Sequence, residues 1–137
     1  TDYYVINVGD SRTYELTSSL RQITRDHSFI AREMELGRMT AEEAKTDPRR
    51  NVLLQCIGAS DTVEPDFFTG KAQKDAVYFL CSDGFRHEIT AQEISEALRP
   101  TEMTDETRME ARLRELIERN KSRNERDNIS VVAIRTY

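Results

Sequence analysis

Short apolar runs alternate with polar turns along this chain, and the period of the alternation changes as it proceeds. Tyr3-Tyr4-Val5-Ile6-Asn7-Val8 is β-branched and aromatic, the composition of a strand. Gly9-Asp10-Ser11 follows with turn chemistry, because Gly tolerates positive φ and Asp and Ser bond to nearby backbone. Thr13-Tyr14-Glu15-Leu16 and Leu20-Arg21-Gln22-Ile23-Thr24 read as two more strands, separated by Thr17-Ser18-Ser19. Three strands joined by tight turns predict an antiparallel meander. The period then becomes helical: Phe29, Ile30, Met34 and Leu36 share a face, and Gly37 can close it. Thr40-Ala41-Glu42-Glu43 has the form of a capping box, with Thr40 as N-cap, opening a short helix that Asp47-Pro48 interrupts. Val52-Leu53-Leu54-Gln55-Cys56-Ile57 reads as a buried strand or apolar run ended by Gly58, and residues 63–68 as a short extended piece. Ala76-Val77-Tyr78-Phe79-Leu80-Cys81 is the most strand-like run, and its continuous apolarity predicts a central position. A second capping box, Thr90-Ala91-Gln92-Glu93, opens a helix through Ile94, Ala97 and Leu98 that Pro100 stops. Residues 106 to about 120 predict a longer amphipathic helix, with Met109, Leu113, Leu116 and Ile117 on its core face. Ile129-Ser130-Val131-Val132-Ala133-Ile134 is a final strand. Clustered strands with helices between them define an α+β class with an antiparallel sheet.

Composition narrows the functional classes. At 137 residues the chain is one domain or part of one. Its 20 basic and 25 acidic side chains give a formal charge of −5, which argues against a nucleic-acid binder. No apolar run approaches the length of a membrane span, and no signal segment opens the chain. Cys56 and Cys81 each sit in an apolar run, so both read as reduced core residues of a cytoplasmic protein. The first residue is Thr1, and a strand-like run is under way by Tyr3; this reads as a portion cut from something longer.

Three aspartates share one setting, the end of a strongly apolar strand next to small or polar residues. They are Asp10 in Val8-Gly9-Asp10-Ser11-Arg12, Asp83 in Leu80-Cys81-Ser82-Asp83-Gly84 and Asp127 in Arg126-Asp127-Asn128-Ile129-Ser130. Hard divalent cations such as Mg²⁺ and Mn²⁺ take oxygen ligands, and carboxylates at strand ends can converge on one rim of a sheet. Taken singly, each aspartate reads first as a turn residue. His27 and His87, the two histidines, lack Cys or His partners at zinc spacing. Ser11, Ser82 and Cys81 have no paired base that would make them nucleophiles.

Taken together and in order, these segments resemble the metal-dependent, type 2C (PPM) serine/threonine protein phosphatases. Asn7-Val8-Gly9-Asp10-Ser11-Arg12 is similar to that family's Gly-Asp-Ser-Arg motif, Cys81-Ser82-Asp83-Gly84 to its apolar strand with Ser-Asp-Gly, and Asp127-Asn128-Ile129-Ser130-Val131-Val132 to its terminal Asp-Asn motif. Thr24-Arg25-Asp26-His27-Ser28 resembles the lead-in to the family's flap. The stretch from Leu36-Gly37-Arg38 through Ala44, and Asn51-Val52 through Gly58, resemble the flap and its return in bacterial members.

The resemblance implies an antiparallel β-sandwich flanked by helices, the PPM-type fold, with its N-terminal part missing. Residues 1–137 are then the C-terminal portion of a single catalytic domain, with a flap-like insertion at about residues 25–58. It implies hydrolysis of phosphoserine and phosphothreonine in proteins by water activated on two or more Mg²⁺ or Mn²⁺ ions, rather than by a side-chain nucleophile. Asp83 and Asp127 match core metal ligands, and Asp10 matches a carboxylate that serves a weaker third site with Asp83. The family's Asp-Gly-(Met/His)-Gly-Gly motif, whose Asp bridges the core ions, is not in this chain, so the fragment alone is expected to be inactive. Where many members carry an Asp four residues after the Ser-Asp-Gly aspartate, this chain has His87, an additional candidate ligand. Expected partners are a phosphorylated protein and a cognate serine/threonine kinase, with no nucleic acid or membrane, and exposed sheet edges predict self-association of the fragment. The alternative is a degenerate phosphatase-like module with a regulatory or protein-interaction role. An acidic structural domain would require the three aspartates to lie far apart.

Overall fold

A computed structural model describes all of residues 1–137. In chain order the elements are β1 (Asp2–Asn7), β2 (Arg12–Leu16), β3 (Leu20–Gln22), α1 (Phe29–Glu35), α2 (Ala41–Thr46), β4 (Asp66–Lys71), β5 (Val77–Cys81), a 3-10 turn (Asp83–Phe85), α3 (Ala91–Leu98), α4 (Glu106–Ser122) and β6 (Val131–Arg135). They build a four-stranded antiparallel sheet in the order β3-β2-β5-β6 and a two-stranded antiparallel sheet of β1 and β4.

β5 is central, as its apolarity predicts, and its two faces have different partners. On one face Phe79 is fully buried, stacked on Tyr14 with centroids 4.9 Å apart and edge-on to Phe85 at 6.3 Å. Leu16, Val77 and Cys81 share this face, and Leu98, Met103 and Leu116 from α3, α4 and their connection close the core over it. Full burial of one such aromatic contributes about 1.5–3 kcal/mol. On the other face Tyr78 packs with Ile23, Ala76 and the β1–β4 residues Tyr3, Val5 and Phe68, which makes the second layer of the sandwich. Tyr3 lies opposite Gly70, where a side chain would run into its ring.

Both capping boxes form. The Thr40 and Thr90 hydroxyls accept from the Glu43 and Glu93 N–H groups, and each Glu carboxylate accepts from the N-cap N–H. The α4 face is as expected, with Leu116 buried and Met109, Leu113 and Ile117 packed against the core.

Three expectations are corrected. First, β1 does not join a meander: β2 and β3 form a hairpin, but β1 pairs with β4 in the other sheet. Gly9, at φ +105°, gives its N–H to His27 Nδ1 and its carbonyl to the His27 N–H, so the turn passes the chain between sheets instead of folding it back. Second, residues 52–57 are neither strand nor core. Only Leu53 makes a bridge, to Ser28, and Ile57 is 79% exposed. This run closes the base of the segment carrying α1 and α2, through Phe29 N–H to the Val52 carbonyl and Leu54 N–H to the His27 carbonyl. It reaches neither sheet, so its apolar side chains have nothing to pack against. Third, Cys56 is exposed for the same reason, whereas Cys81 is buried. No helix is long and apolar enough to cross a membrane.

Candidate metal centre

Sheet register alone assembles the site. Arg12 and Val131 both lie opposite Cys81, so the end of β5 sits between the start of β2 and the start of β6. The segments just beyond those ends carry Asp10, Asp83 and Asp127. The Asp83 turn is tied to the β6 side through Ser82, whose N–H donates to the Ser130 carbonyl and whose hydroxyl accepts from the Ser130 N–H. Gly84 then lets the two loops touch, since a Cβ there would collide with the Asn128 carbonyl oxygen and crowd the Asp127 side chain.

The result is a cluster of Asp83, His87 and Asp127, one ligand atom from each lying within 4.8 Å of the other two. Ligand–metal distances of about 2.0–2.6 Å fit a gap of that size, and two carboxylates with one imidazole suit a divalent cation. Asp10 is not in this cluster but faces the same cleft, a space of about 530 Å³. Its carboxyl is pushed above the usual aspartate value, first by burial and then by the Asp83 charge, so the two acids sense each other directly. The Arg86 charge beside them offsets this repulsion only in part.

Basic groups line the same cleft. Lys45 and Arg50 approach from the segment that carries α2, and Arg86 from beside Asp83. Arg86 donates to the Asp10 carbonyl at 3.0 Å and lies 3.8 Å from Asp26, which Arg12 grips with two hydrogen bonds of 2.7 and 2.8 Å. Buried His27 takes the Gly9 N–H on Nδ1, so Nε2 carries the proton and donates to Asp66 at 2.9 Å. These contacts fix the turn bearing Asp10 from both sides.

Glu125 belongs to the site although nothing in its sequence neighbourhood, beyond its position two residues before Asp127, singles it out. Glu125 Oε2 accepts from His87 Nδ1 at 3.0 Å, and Oε1 accepts from the N–H groups of Arg126 and Asp127. Arg86 and the Asp26 pairing were also invisible, because each depends on contacts between separate loops.

No family model matches the chain. The serine/threonine phosphatase stp of Listeria monocytogenes is 38% identical over 96 residues, 69% of this chain and 38% of that protein. The solved structure of the Streptococcus agalactiae serine/threonine phosphatase superposes with a TM-score of 0.88 at 26% identity, over 99% of this chain and 55% of that one. The catalytic domain of the phosphatase PstP, solved in complex with two manganese ions, does so with a TM-score of 0.80 at 30% identity, over 99% and 54%. The fold is that of the PPM serine/threonine phosphatases. The chain belongs to the PPM family of serine/threonine protein phosphatases, and it spans about half the length of these solved structures.

Proposed function

We propose that this chain is the C-terminal portion of a PPM catalytic domain that removes phosphate from phosphoserine and phosphothreonine in proteins, using Mg²⁺ or Mn²⁺. The convergence of Asp83 and Asp127 on one strand rim, within this fold, carries the reading. Asp83 and Asp127 would hold a cation, and Asp10, charge-coupled to Asp83, would serve a weaker site beside it. Bound divalent ions supply Lewis acidity, acidifying a water and offsetting phosphoryl charge. The chain's own cations do the rest: Lys45 and Arg50 face the carboxylates across the cleft, where they attract and orient a phosphate monoester. The segment of about residues 25–58, which brings both, acts as the flap against which a phosphoprotein lies. A serine/threonine kinase that makes this substrate is the matching partner.

The bridging Asp-Gly-x-Gly-Gly aspartate is not among these residues, so the chain alone should hold one cation weakly and turn over little or nothing. Calorimetric titration with Mn²⁺, alongside a phosphopeptide hydrolysis assay, tests this. One weak site, lost in Asp83→Asn and in Asp127→Asn, is expected. Two tight sites, or hydrolysis that survives Asp83→Asn, would refute the assignment.

A further inference from the structure

Glu125 is a fully engaged carboxylate beside the rim. Its side chain is only 8% exposed, and both oxygens are occupied: Oε1 by two backbone N–H groups of the loop that carries Asp127, Oε2 by His87 Nδ1. An ionised carboxylate can only accept, so Nδ1 must be the donor, and the neutral ring then presents its lone pair at Nε2. Nε2 makes no hydrogen bond in the chain. It lies 3.6 Å from Asp83 Oδ2, beyond hydrogen-bonding distance, and His87 clusters with Asp83 and Asp127. An exposed ion pair would leave both partners mobile; here the carboxylate is locked in the loop and the ring is aimed.

We propose that Glu125 orients His87 as a nitrogen ligand to the cation held by Asp83 and Asp127, so that this site selects Mn²⁺ over Mg²⁺. The proposal rests on the metal reading above. Ring nitrogen is a poor ligand for Mg²⁺, which demands oxygen, and an acceptable one for Mn²⁺ and later divalent metals. A carboxylate behind a ligating imidazole fixes its tautomer and raises its basicity, and losing such a partner typically weakens metal binding about 10–100-fold. Glu125 also carries the backbone of Asp127, so one side chain sets two ligands together.

The test is pulsed electron paramagnetic resonance of Mn²⁺ bound to the chain, with parallel Mn²⁺ and Mg²⁺ titrations and circular dichroism to confirm folding. Nitrogen coupling to Mn²⁺ is expected in the native chain and should vanish in His87→Asp and His87→Ala. His27 cannot supply the signal, because both its nitrogens are engaged in a buried network. His87→Asp should cut the Mn²⁺-over-Mg²⁺ preference by about tenfold or more, and Glu125→Ala should weaken Mn²⁺ about tenfold. If Mn²⁺ binding needs Asp83 and Asp127 but shows no nitrogen coupling, the carboxylate site stands and this proposal falls. Unchanged Mn²⁺ affinity in Glu125→Ala overturns the role of Glu125. Binding indifferent to Asp83→Asn and Asp127→Asn overturns the metal reading itself.

Discussion

Gly84 lies against the carbonyl of Asn128 so closely that any side chain on it would collide with that oxygen. The contact is what brings the turn after β5 to the loop before β6, and Asp83 and Asp127 flank it on either side. Gly84 does not need its backbone freedom here, since its φ is not positive; it needs the absence of a Cβ.

Gly84→Ala should therefore separate the two loops. Overpacking of this kind costs about 1–3 kcal/mol, and the same displacement opens the Asp83–Asp127 gap. Urea unfolding should show the stability loss, and titration should show weaker Mn²⁺ binding. A variant with native stability and native affinity would mean that the loops do not meet as described.

His27→Leu keeps bulk but removes two hydrogen bonds, leaving the Gly9 N–H buried without a partner and Asp66 with only its long 3.5 Å bond from exposed Arg25. An orphaned buried donor costs about 1–3 kcal/mol. The urea midpoint followed by circular dichroism should fall accordingly; an unchanged midpoint would show that His27 is not the clasp of the Asp10 turn.

Local chemistry was readable in the sequence wherever one segment decided the outcome. Thr40 and Thr90 with Glu43 and Glu93 announce helix starts, and Val77-Tyr78-Phe79-Leu80-Cys81 announces a strand apolar enough to be central. Strand pairing was not readable in the same way. The turn at Gly9-Asp10-Ser11 looks like a hairpin but passes β1 to the other sheet, because His27, distant in sequence, takes its backbone groups. The run 52–57 shows the same limit from the other side: apolarity marks a core only if another surface comes to cover it, and none does. At the site, motif order pointed to Asp10, Asp83 and Asp127, while Glu125 emerged only when α4 and β6 were in place.

The two thiols should differ sharply. Burial pushes the Cys81 thiol up to about 11 from an ordinary value near 9, with Arg86 and Arg12 opposing the shift only in part. Cys56 is exposed. Iodoacetamide at neutral pH should label Cys56 alone in the native chain, and both after denaturation, as read by mass spectrometry. Rapid native labelling of Cys81 would place it outside the core.

An edge strand with an apolar face invites a partner. β6 ends the four-stranded sheet, and Val132 and Ile134 are 62% and 54% exposed beside Leu80. A second copy packed face to face on this patch would cover them. Sedimentation should show dimers that grow with concentration, and Val132→Lys should return the chain to monomer. A native chain that stays monomeric at high concentration would contradict this.

The junction of α3 with the end of α4 supplies an acid-dependent term. Glu93 accepts two hydrogen bonds from Arg123, at 2.6 and 2.8 Å, while capping its own helix through the Thr90 N–H. Arg123 above all, with the Thr90 N–H next, holds the Glu93 carboxyl at about 2, well below its ordinary value of 4.5. The folded chain thus keeps this group ionised after the unfolded chain has protonated it. Its contribution is complete above pH 4.5 and is lost as the pH falls from there through about 2. Glu93→Gln cannot ionise and lacks that contribution at every pH. The gap in urea midpoint between native chain and variant should be constant from neutral pH to about 5. It should then narrow steadily as the carboxylate of the native chain is titrated. A gap that stays constant into strong acid would show that the Arg123 pairing does not set the ionisation of Glu93.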